Sequence, residues 1–214
     1  MNVLAPPRFR LTMEVVFDLV CPWCFLGTRR LRRTLRSRPD VAADLIWRPF
    51  LLNPDAPGDA GFRKSGAADR TRRLQATLTD LGRSEGVPFR FDLIARIPSS
   101  VDAHRLVRFA ARRGAAGEVV DRLFLAHFAE GLDIGDHATL ASIGAEAGLE
   151  RLTLRRFLAA DAEMEAVHAE NLRAHRLGIN GVPCFVVAGR HAIAGAQEPE
   201  VLQRLLDVAI AETA

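Results

Sequence analysis

The 214-residue chain has the composition of a globular protein, with 49% hydrophobic and 26% charged residues. Such a chain can bury a core without disulfide staples, which excludes intrinsic disorder, a collagen-like sequence and a small disulfide scaffold. The formal net charge is only +3. No basic run is interleaved with aromatic residues, so we expect no nucleic-acid partner.

The N-terminal region does not have the pattern of a secretory signal, which needs a charged start and then about 7–15 apolar residues. Any such run is interrupted by Pro6, Pro7, Arg8 and Arg10. No apolar stretch approaches the ~20 residues that cross a bilayer. We therefore expect a cytoplasmic protein without a membrane partner.

The first predicted unit is strand–helix–strand. Residues 11–20 are rich in apolar and β-branched side chains and predict a buried strand, which leads directly into Cys21-Pro22-Trp23-Cys24. A helix is predicted over 24–37 and a second strand over 45–51. The solvated face of the helix is predicted to carry its arginines, namely Arg29, Arg30, Arg32, Arg33 and Arg36.

A long helical region follows a turn-rich segment at 53–61. Ser100 and Asp136 are predicted N-caps, and residues 87–99 are an irregular connector. Three glycines are predicted helix stops: Gly86, Gly114 and Gly178. The helices are predicted over 63–84, 101–113, 117–129, 137–147, 153–159 and 161–177.

The C-terminal part predicts two short strands, 184–188 and 191–194, and a helix over 199–212. Together the elements predict an α/β sheet that is split by a helical lobe. The expected divisions are an N-terminal half over 11–58, a helical insertion over 59–178 and a C-terminal half over 179–214.

The cysteine pair suggests thiol chemistry. Cys21 lies where a strand becomes a helix, so unpaired N–H groups and the helix dipole would favour its thiolate. Cys24 is one helical turn further on and could attack a mixed disulfide at Cys21. Two other interpretations are half of a zinc site and a pair of buried core thiols. No histidine pair has ligand spacing near a cysteine, so we expect no metal.

Val182-Pro183 precedes the first C-terminal strand and is a candidate cis peptide. The local sequence alone leaves cis and trans open. If the bond is cis and packs beside the cysteines, the Val182 backbone could pair with an extended substrate.

These motifs together resemble the DsbA-like thioredoxin superfamily, and within it the FrnE-like branch. The resemblance covers nearly the whole chain. It rests on the strand–Cys-Pro-Trp-Cys–helix unit and on five further stretches: Trp47–Pro54, Ala103–Leu106, Leu123–Phe128, Gly181–Pro183 and Gly195–Gln197.

The resemblance implies a thioredoxin fold, β-α-β … β-β-α, with a large all-helical insertion, and thiol–disulfide oxidoreductase activity. It implies a cis Pro183, with Cys21 as the attacking and Cys24 as the resolving thiol. We expect Pro22, Trp23, Val182 and Pro183 to contact the substrate, with Trp23 exposed beside the thiols.

Two departures from the family pattern affect these expectations. Pro-Trp stands between the cysteines where strongly oxidising relatives have Pro-His, so we expect a less stabilised thiolate. Cys184 follows the proline where threonine is more usual. Cys184 is interpreted as a core thiol, with an additional redox thiol as the alternative.

Two further polar residues are candidates for the site. Asp18 lies just before the pair and could accept a proton from Cys24, although such a carboxylate more often bonds to the adjacent loop. His104 is interpreted as a structural histidine of the insertion, with a position facing the active-site cleft as the alternative.

The leading hypothesis is a disulfide reductase or isomerase acting on protein or small-molecule thiols and disulfides. It needs no bound cofactor and takes glutathione as a candidate co-substrate. The alternative is a glutathione-dependent isomerase or kappa-like glutathione transferase, relatives that have serine where this chain has Cys21. A third is a non-catalytic binding module or chaperone. Monomer and homodimer both remain open.

Overall fold

The computed structural model describes residues 6–54 and 67–212, and its centre is a four-stranded mixed sheet. The strands are β1 (Phe9–Phe17), β2 (Val41–Pro49), β3 (Cys184–Val187) and β4 (His191–Ala194), in the order β2-β1-β3-β4. β1 pairs with β2 in parallel and with β3 antiparallel, and β4 is antiparallel to β3. The predicted α/β fold with a thioredoxin topology is confirmed.

Two helices belong to the sheet unit, α1 (Pro22–Arg36) and α8 (Pro199–Ala211), and they pack against each other. Among the described residues, six more α-helices lie between β2 and β3. They are α2 (Ala67–Glu85), α3 (Val101–Ala111), α4 (Ala116–Phe128), α5 (His137–Glu146), α6 (Arg151–Ala159) and α7 (Met164–Arg176). The predicted start of the first of these at residue 63 and the expected division after residue 58 lie outside the described residues.

The two faces of the sheet are covered differently because successive strand residues point to opposite sides. Met13, Val15 and Phe17 join the main core with α1, α8 and the helical insertion. Val16, between them, packs instead with Cys184, Phe50 and Ala174 of α7. The sheet therefore separates a large core from a smaller one.

Aromatic packing joins the insertion to the sheet unit. The Phe25 ring of α1 stacks on Phe124 and Phe128 of α4 and meets Phe89 edge-on. Burial of each such ring contributes about 1.5–3 kcal/mol to folding. α1 is therefore fixed against α4, and its N-terminus is held beside the insertion.

The sequence predicted that Arg30 lies on the solvated face of α1. This prediction was wrong, because Arg30 is only 4% exposed. Its guanidinium bonds to Glu85 at 2.6 Å and to the Ala196 carbonyl at 2.7 Å, and it pairs with Glu198 at 2.7 Å. A buried cation needs such partners. The arginine therefore ties α1 to α2 and to the segment before α8.

Several element boundaries differ from the predicted ones. β1 ends at Phe17 rather than at residue 20, and β2 spans Val41–Pro49 rather than 45–51. Asp136 caps α5 by accepting from the Thr139 N–H at 2.7 Å, as predicted. Ser100 occupies the N-cap of α3 but makes no side-chain cap bond. Gly86, directly after α2, has φ +68°, a conformation that glycine adopts readily.

Candidate active site

Cys21 lies at the N-cap of α1, in the turn that joins β1 to this helix. Its N–H donates to the Asp18 carbonyl at 3.1 Å, and its own carbonyl accepts from the N–H groups of Cys24 and Phe25. Cys21 has extended backbone angles, and its side chain makes no capping bond. Its sulfur therefore sits at the positive end of the helix dipole.

Cys24 lies one turn along α1, and both thiols are free. Cys21 is 4% exposed and Cys24 is 0% exposed, so a reactant can reach only Cys21 without rearrangement. Burial raises the pKa of the Cys24 thiol well above its usual value, and the hydrogen bond and charge of Cys21 raise it further. The pKa of Cys24 is also raised by the charge of Asp18, while a backbone hydrogen bond from Asp18 opposes these effects.

The segment before β3 packs beside the first thiol. The Val182–Pro183 peptide bond is cis. The Cys21 thiol donates to the Val182 carbonyl across 3.6 Å, and the Pro183 carbonyl accepts from the Gly195 N–H at 2.7 Å. The structure thus brings together Cys21, Val182 and Pro183 as the sequence predicted.

Gly27 allows a close approach of Pro183 to α1 that sequence reasoning missed. A Cβ at this position of α1 would lie 2.8 Å from Pro183 Cγ and 3.3 Å from the Phe185 ring. Only glycine leaves room for the proline to approach the helix. The signal was present as a glycine inside a predicted helix, which often marks a close approach.

Trp23 and Pro22 form the outer rim of the pair. Both are half-buried, and Trp23 packs partly against the main core. The expectation of an exposed tryptophan was wrong, because its ring is shared between the core and the surface. It still presents an apolar edge next to the cysteines.

Asp18 is fully buried below the pair. Its Oδ2 accepts from the Leu52 N–H at 2.8 Å, and its Oδ1 accepts from the Val20 N–H at 3.4 Å. The bond to Val20 turns the chain out of the strand, which explains why β1 ends before residue 18. The carboxylate thus makes the loop contacts that the sequence favoured.

His104 of α3 is the second buried polar residue here. Its Nε2 lies 3.5 Å from Asp18 Oδ1, and both side chains are 0% exposed. The Phe17 ring packs edge-on against the imidazole. Periodicity could not find this pairing, because the two residues lie on distant segments of the chain.

Cys184 lies in the smaller core on the other side of the sheet. It pairs with Val16 in the β1–β3 register, whereas Phe185 turns toward the main core. Burial raises the pKa of its thiol. This placement separates Cys184 from Cys21 and Cys24 and favours its interpretation as a core thiol.

Within residues 6–54 and 67–212, no group of three or more His, Cys, Asp or Glu side chains is arranged to hold a metal ion. None of the helices described in the structure is long and apolar enough to cross a membrane.

Comparison with known proteins identifies a family model that covers most of the chain. The model of the DSBA-like thioredoxin domain matches residues 12–207. The protein YwbO of Bacillus subtilis (strain 168) is 24% identical over 195 residues, covering 91% of this chain and 94% of its own length.

Three solved structures share the fold. A probable DsbA oxidoreductase, SCO1869 from Streptomyces coelicolor, has a TM-score of 0.84 at 28% identity, covering 94% of this chain and 91% of its own. A 2-hydroxychromene-2-carboxylate isomerase has a TM-score of 0.77 at 18% identity, covering 94% and 97%. The cytosolic disulfide reductase DsbM from Pseudomonas aeruginosa has a TM-score of 0.65 at 22% identity, covering 94% and 99%.

Proposed function

Because the chain belongs to the DSBA-like thioredoxin family, we propose that it is a thiol–disulfide oxidoreductase in which Cys21 attacks and Cys24 resolves. The observation that carries this proposal is the pairing of two unequal thiols at one helix N-terminus. Cys21 retains some exposure and the helix dipole, whereas Cys24 is sealed and has a raised pKa. This asymmetry suits a nucleophile and a resolving group respectively.

The proposed reaction proceeds in two exchanges. The Cys21 thiolate attacks a substrate disulfide, forms a mixed disulfide and releases one substrate thiolate, which takes a proton from solvent. Cys24 then loses its proton and attacks Cys21 Sγ. The Cys21–Cys24 disulfide forms and the second substrate thiolate leaves. The substrate gains two electrons and the cysteine pair loses two.

Substrate binding is assigned to the rim of the pair. The Val182 carbonyl, 3.6 Å from Cys21 Sγ, can accept a hydrogen bond from an extended substrate chain once the thiol is engaged. Trp23 and Pro22 offer an apolar surface next to it. Protein and small-molecule disulfides both satisfy these contacts.

The direction proposed is reduction or isomerisation in the cytoplasm, with glutathione as the thiol that restores the pair. A glutathione-poised cytosol favours reduced thiols. Related folds support this direction, since DsbM is described as a cytosolic disulfide reductase and one of its structures is described as containing GSH. The FrnE-like branch and the oligomeric state stay predictions of the sequence.

The alternative is a glutathione-dependent isomerase. The fold shared with 2-hydroxychromene-2-carboxylate isomerase favours it, and the intact cysteine pair of this chain argues against it. Tight glutathione binding that survives Cys21→Ser and Cys24→Ser, without any thiol cycling, would support this alternative.

A trapping experiment tests the proposed roles. Cys24→Ser should accumulate a mixed disulfide with glutathione or a disulfide peptide, because nothing resolves it, and mass spectrometry should place the adduct on Cys21. Cys21→Ser is the matched control and should form no adduct at this site. Trapping on Cys24 in Cys21→Ser, or no trapping in Cys24→Ser, would contradict the assignment.

A further inference from the structure

The buried Arg30 of α1 does more than pair with an acidic side chain. Its Nε donates to Glu85 at 2.6 Å, and its Nη1 donates to the Ala196 carbonyl at 2.7 Å. Ala196 lies in a short turn, residues 195–197, that directly follows β4. Because a guanidinium carries several N–H donors in a fixed plane, one arginine can hold a carboxylate and a backbone carbonyl at the same time.

The 195–197 turn is joined to the segment that lies beside the reactive thiol. The Gly195 N–H donates to the Pro183 carbonyl at 2.7 Å. The preceding residue, Val182, has the carbonyl that accepts from the Cys21 thiol across 3.6 Å. A continuous series of contacts therefore runs from Arg30, through the turn and the segment before β3, to Cys21.

The same side of α1 receives both the turn and the segment before β3. Gly27 and Arg30 lie three positions apart, so they are neighbours on the helix surface. A Cβ at Gly27 would lie 2.8 Å from Pro183 Cγ and 3.4 Å from Ala196 Cα. The glycine thus leaves the space for the close approach, and the arginine supplies a polar contact that holds it.

The 195–197 turn has two hydrogen bonds of its own that do not reach α1. The Gln197 N–H donates to the Gly195 carbonyl at 2.9 Å, and the Gln197 side chain donates to the Ala194 carbonyl at 2.6 Å. These bonds shape the turn without fixing it to the helix. The hydrogen bond that fixes it to α1 is the one from Arg30 to Ala196.

We propose that Arg30 is a positioning residue that acts through the 195–197 turn to hold the Val182 carbonyl beside Cys21, where it pairs with a backbone N–H of the substrate. This inference rests on the proposed function. Arg30 itself does not touch the substrate. Without its guanidinium the turn is released from α1, and the Val182 carbonyl loses its fixed distance from Cys21. Substrates that offer a backbone N–H should be affected, and disulfides without one should not.

Two disulfide substrates distinguish these cases. One is an uncharged peptide dimer linked through a central cysteine, and the other is 2-hydroxyethyl disulfide, which has no N–H group. The variant is Arg30→Gln combined with Glu85→Gln, which leaves no unpaired charge in the core. We expect the second-order rate constant of the reduced protein with the peptide to fall about tenfold, the upper range for loss of one hydrogen bond. The rate constant with 2-hydroxyethyl disulfide should stay within about twofold.

Matched controls separate positioning from loss of an ion pair. Arg32→Gln removes another arginine of α1, which pairs with Asp121 at 3.0 Å and donates to the Gly117 carbonyl at 2.8 Å. Glu85→Gln alone leaves Arg30 free to hold the turn. In both controls the ratio of the two rate constants should stay within about twofold of wild type. Equal slowing with both disulfides in the double variant, or an unchanged ratio, would overturn the proposal.

A conservative variant provides a second readout if the double variant does not fold. Arg30→Lys keeps a cation opposite Glu85, but its single nitrogen replaces a fork whose separate nitrogens reach Glu85 and Ala196. Amide hydrogen exchange at Gly195 should become at least about tenfold faster relative to the amides of β1, with selective slowing of the peptide. Unchanged exchange and an unchanged ratio would overturn the proposal. A wild-type protein that reacts with neither disulfide would instead contradict the proposed function itself.

Discussion

Residues only three positions apart take on different chemistry in this site. Cys21 and Cys24 belong to one helical turn, yet Cys21 lies at the helix N-terminus and is 4% exposed, while Cys24 is fully buried in the main core. The spacing and the strand–helix junction could be predicted from sequence, because both are local. The depth of Cys24 and the approach of His104 could not, because they depend on how the insertion folds over α1.

Modification rates should reflect the raised pKa of the Cys24 and Cys184 thiols. Burial raises the pKa of both Cys24 and Cys184, and the thiolate is the reactive form. At neutral pH, iodoacetamide should modify Cys21 first, at least about tenfold faster than the other two. Peptide mapping by mass spectrometry measures the order, and faster labelling of Cys184 would contradict it.

Cys184 should be dispensable for the reaction. It packs with Val16, Phe50 and Ala174 on the far side of the sheet. Cys184→Ala should keep the exchange rate within about twofold and lower the free energy of unfolding by about 1 kcal/mol, as expected for a small core truncation. Kinetics test the exchange rate, and denaturant titration tests the free energy of unfolding. Loss of activity in a folded variant would support the alternative interpretation of Cys184 as an additional redox thiol.

At the scale of elements, the site is a junction of α1 with the segment before β3. The order of strands and helices could be predicted because hydrophobic runs, Pro22 and the glycines punctuate the chain. The burial of Arg30 could not, because its partners Glu85 and Glu198 lie on elements that periodicity treats separately. Arg30 lies among other arginines of α1, and such a local pattern is typical of a solvated helix face.

Gly27 should control the position of Pro183. An alanine there would place Cβ 2.8 Å from Pro183 Cγ, and the segment would have to move away from Cys21. We expect Gly27→Ala to lower kcat/KM for a disulfide substrate about tenfold or more, as small displacements in active sites do. Gly117→Ala is the matched control, since its Cβ meets only the flexible end of Arg32. Equal activity of both variants would refute this role.

Arg30 should be a stability residue of the same junction. Arg30→Leu leaves the buried Glu85 carboxylate without its shortest ion pair, which should cost about 3–5 kcal/mol. Arg10→Ala breaks an exposed pair with Asp44 and should cost no more than about 1 kcal/mol. Thermal unfolding of the two variants makes the comparison, and similar losses would contradict the assignment.

The whole molecule combines a redox-family sheet unit with a helical insertion that supplies a buried histidine. The family and fold could be inferred from sequence because the cysteine pair and Val182-Pro183, which lie in the two halves of the sheet unit, both belong to the recognisable motifs of one site. The contact between those ends and the insertion needs coordinates, since it joins residues far apart in the chain. The proposed function requires Cys21 and Cys24 to interconvert between dithiol and disulfide.

A redox titration of the purified protein in glutathione buffers tests that requirement most directly. The thiols would be trapped by alkylation, with tryptophan fluorescence as a second probe. We predict a reversible two-electron couple between roughly −270 and −120 mV that is lost in Cys24→Ser. A chain that shows no reversible couple, or one that survives in Cys24→Ser, would contradict the account.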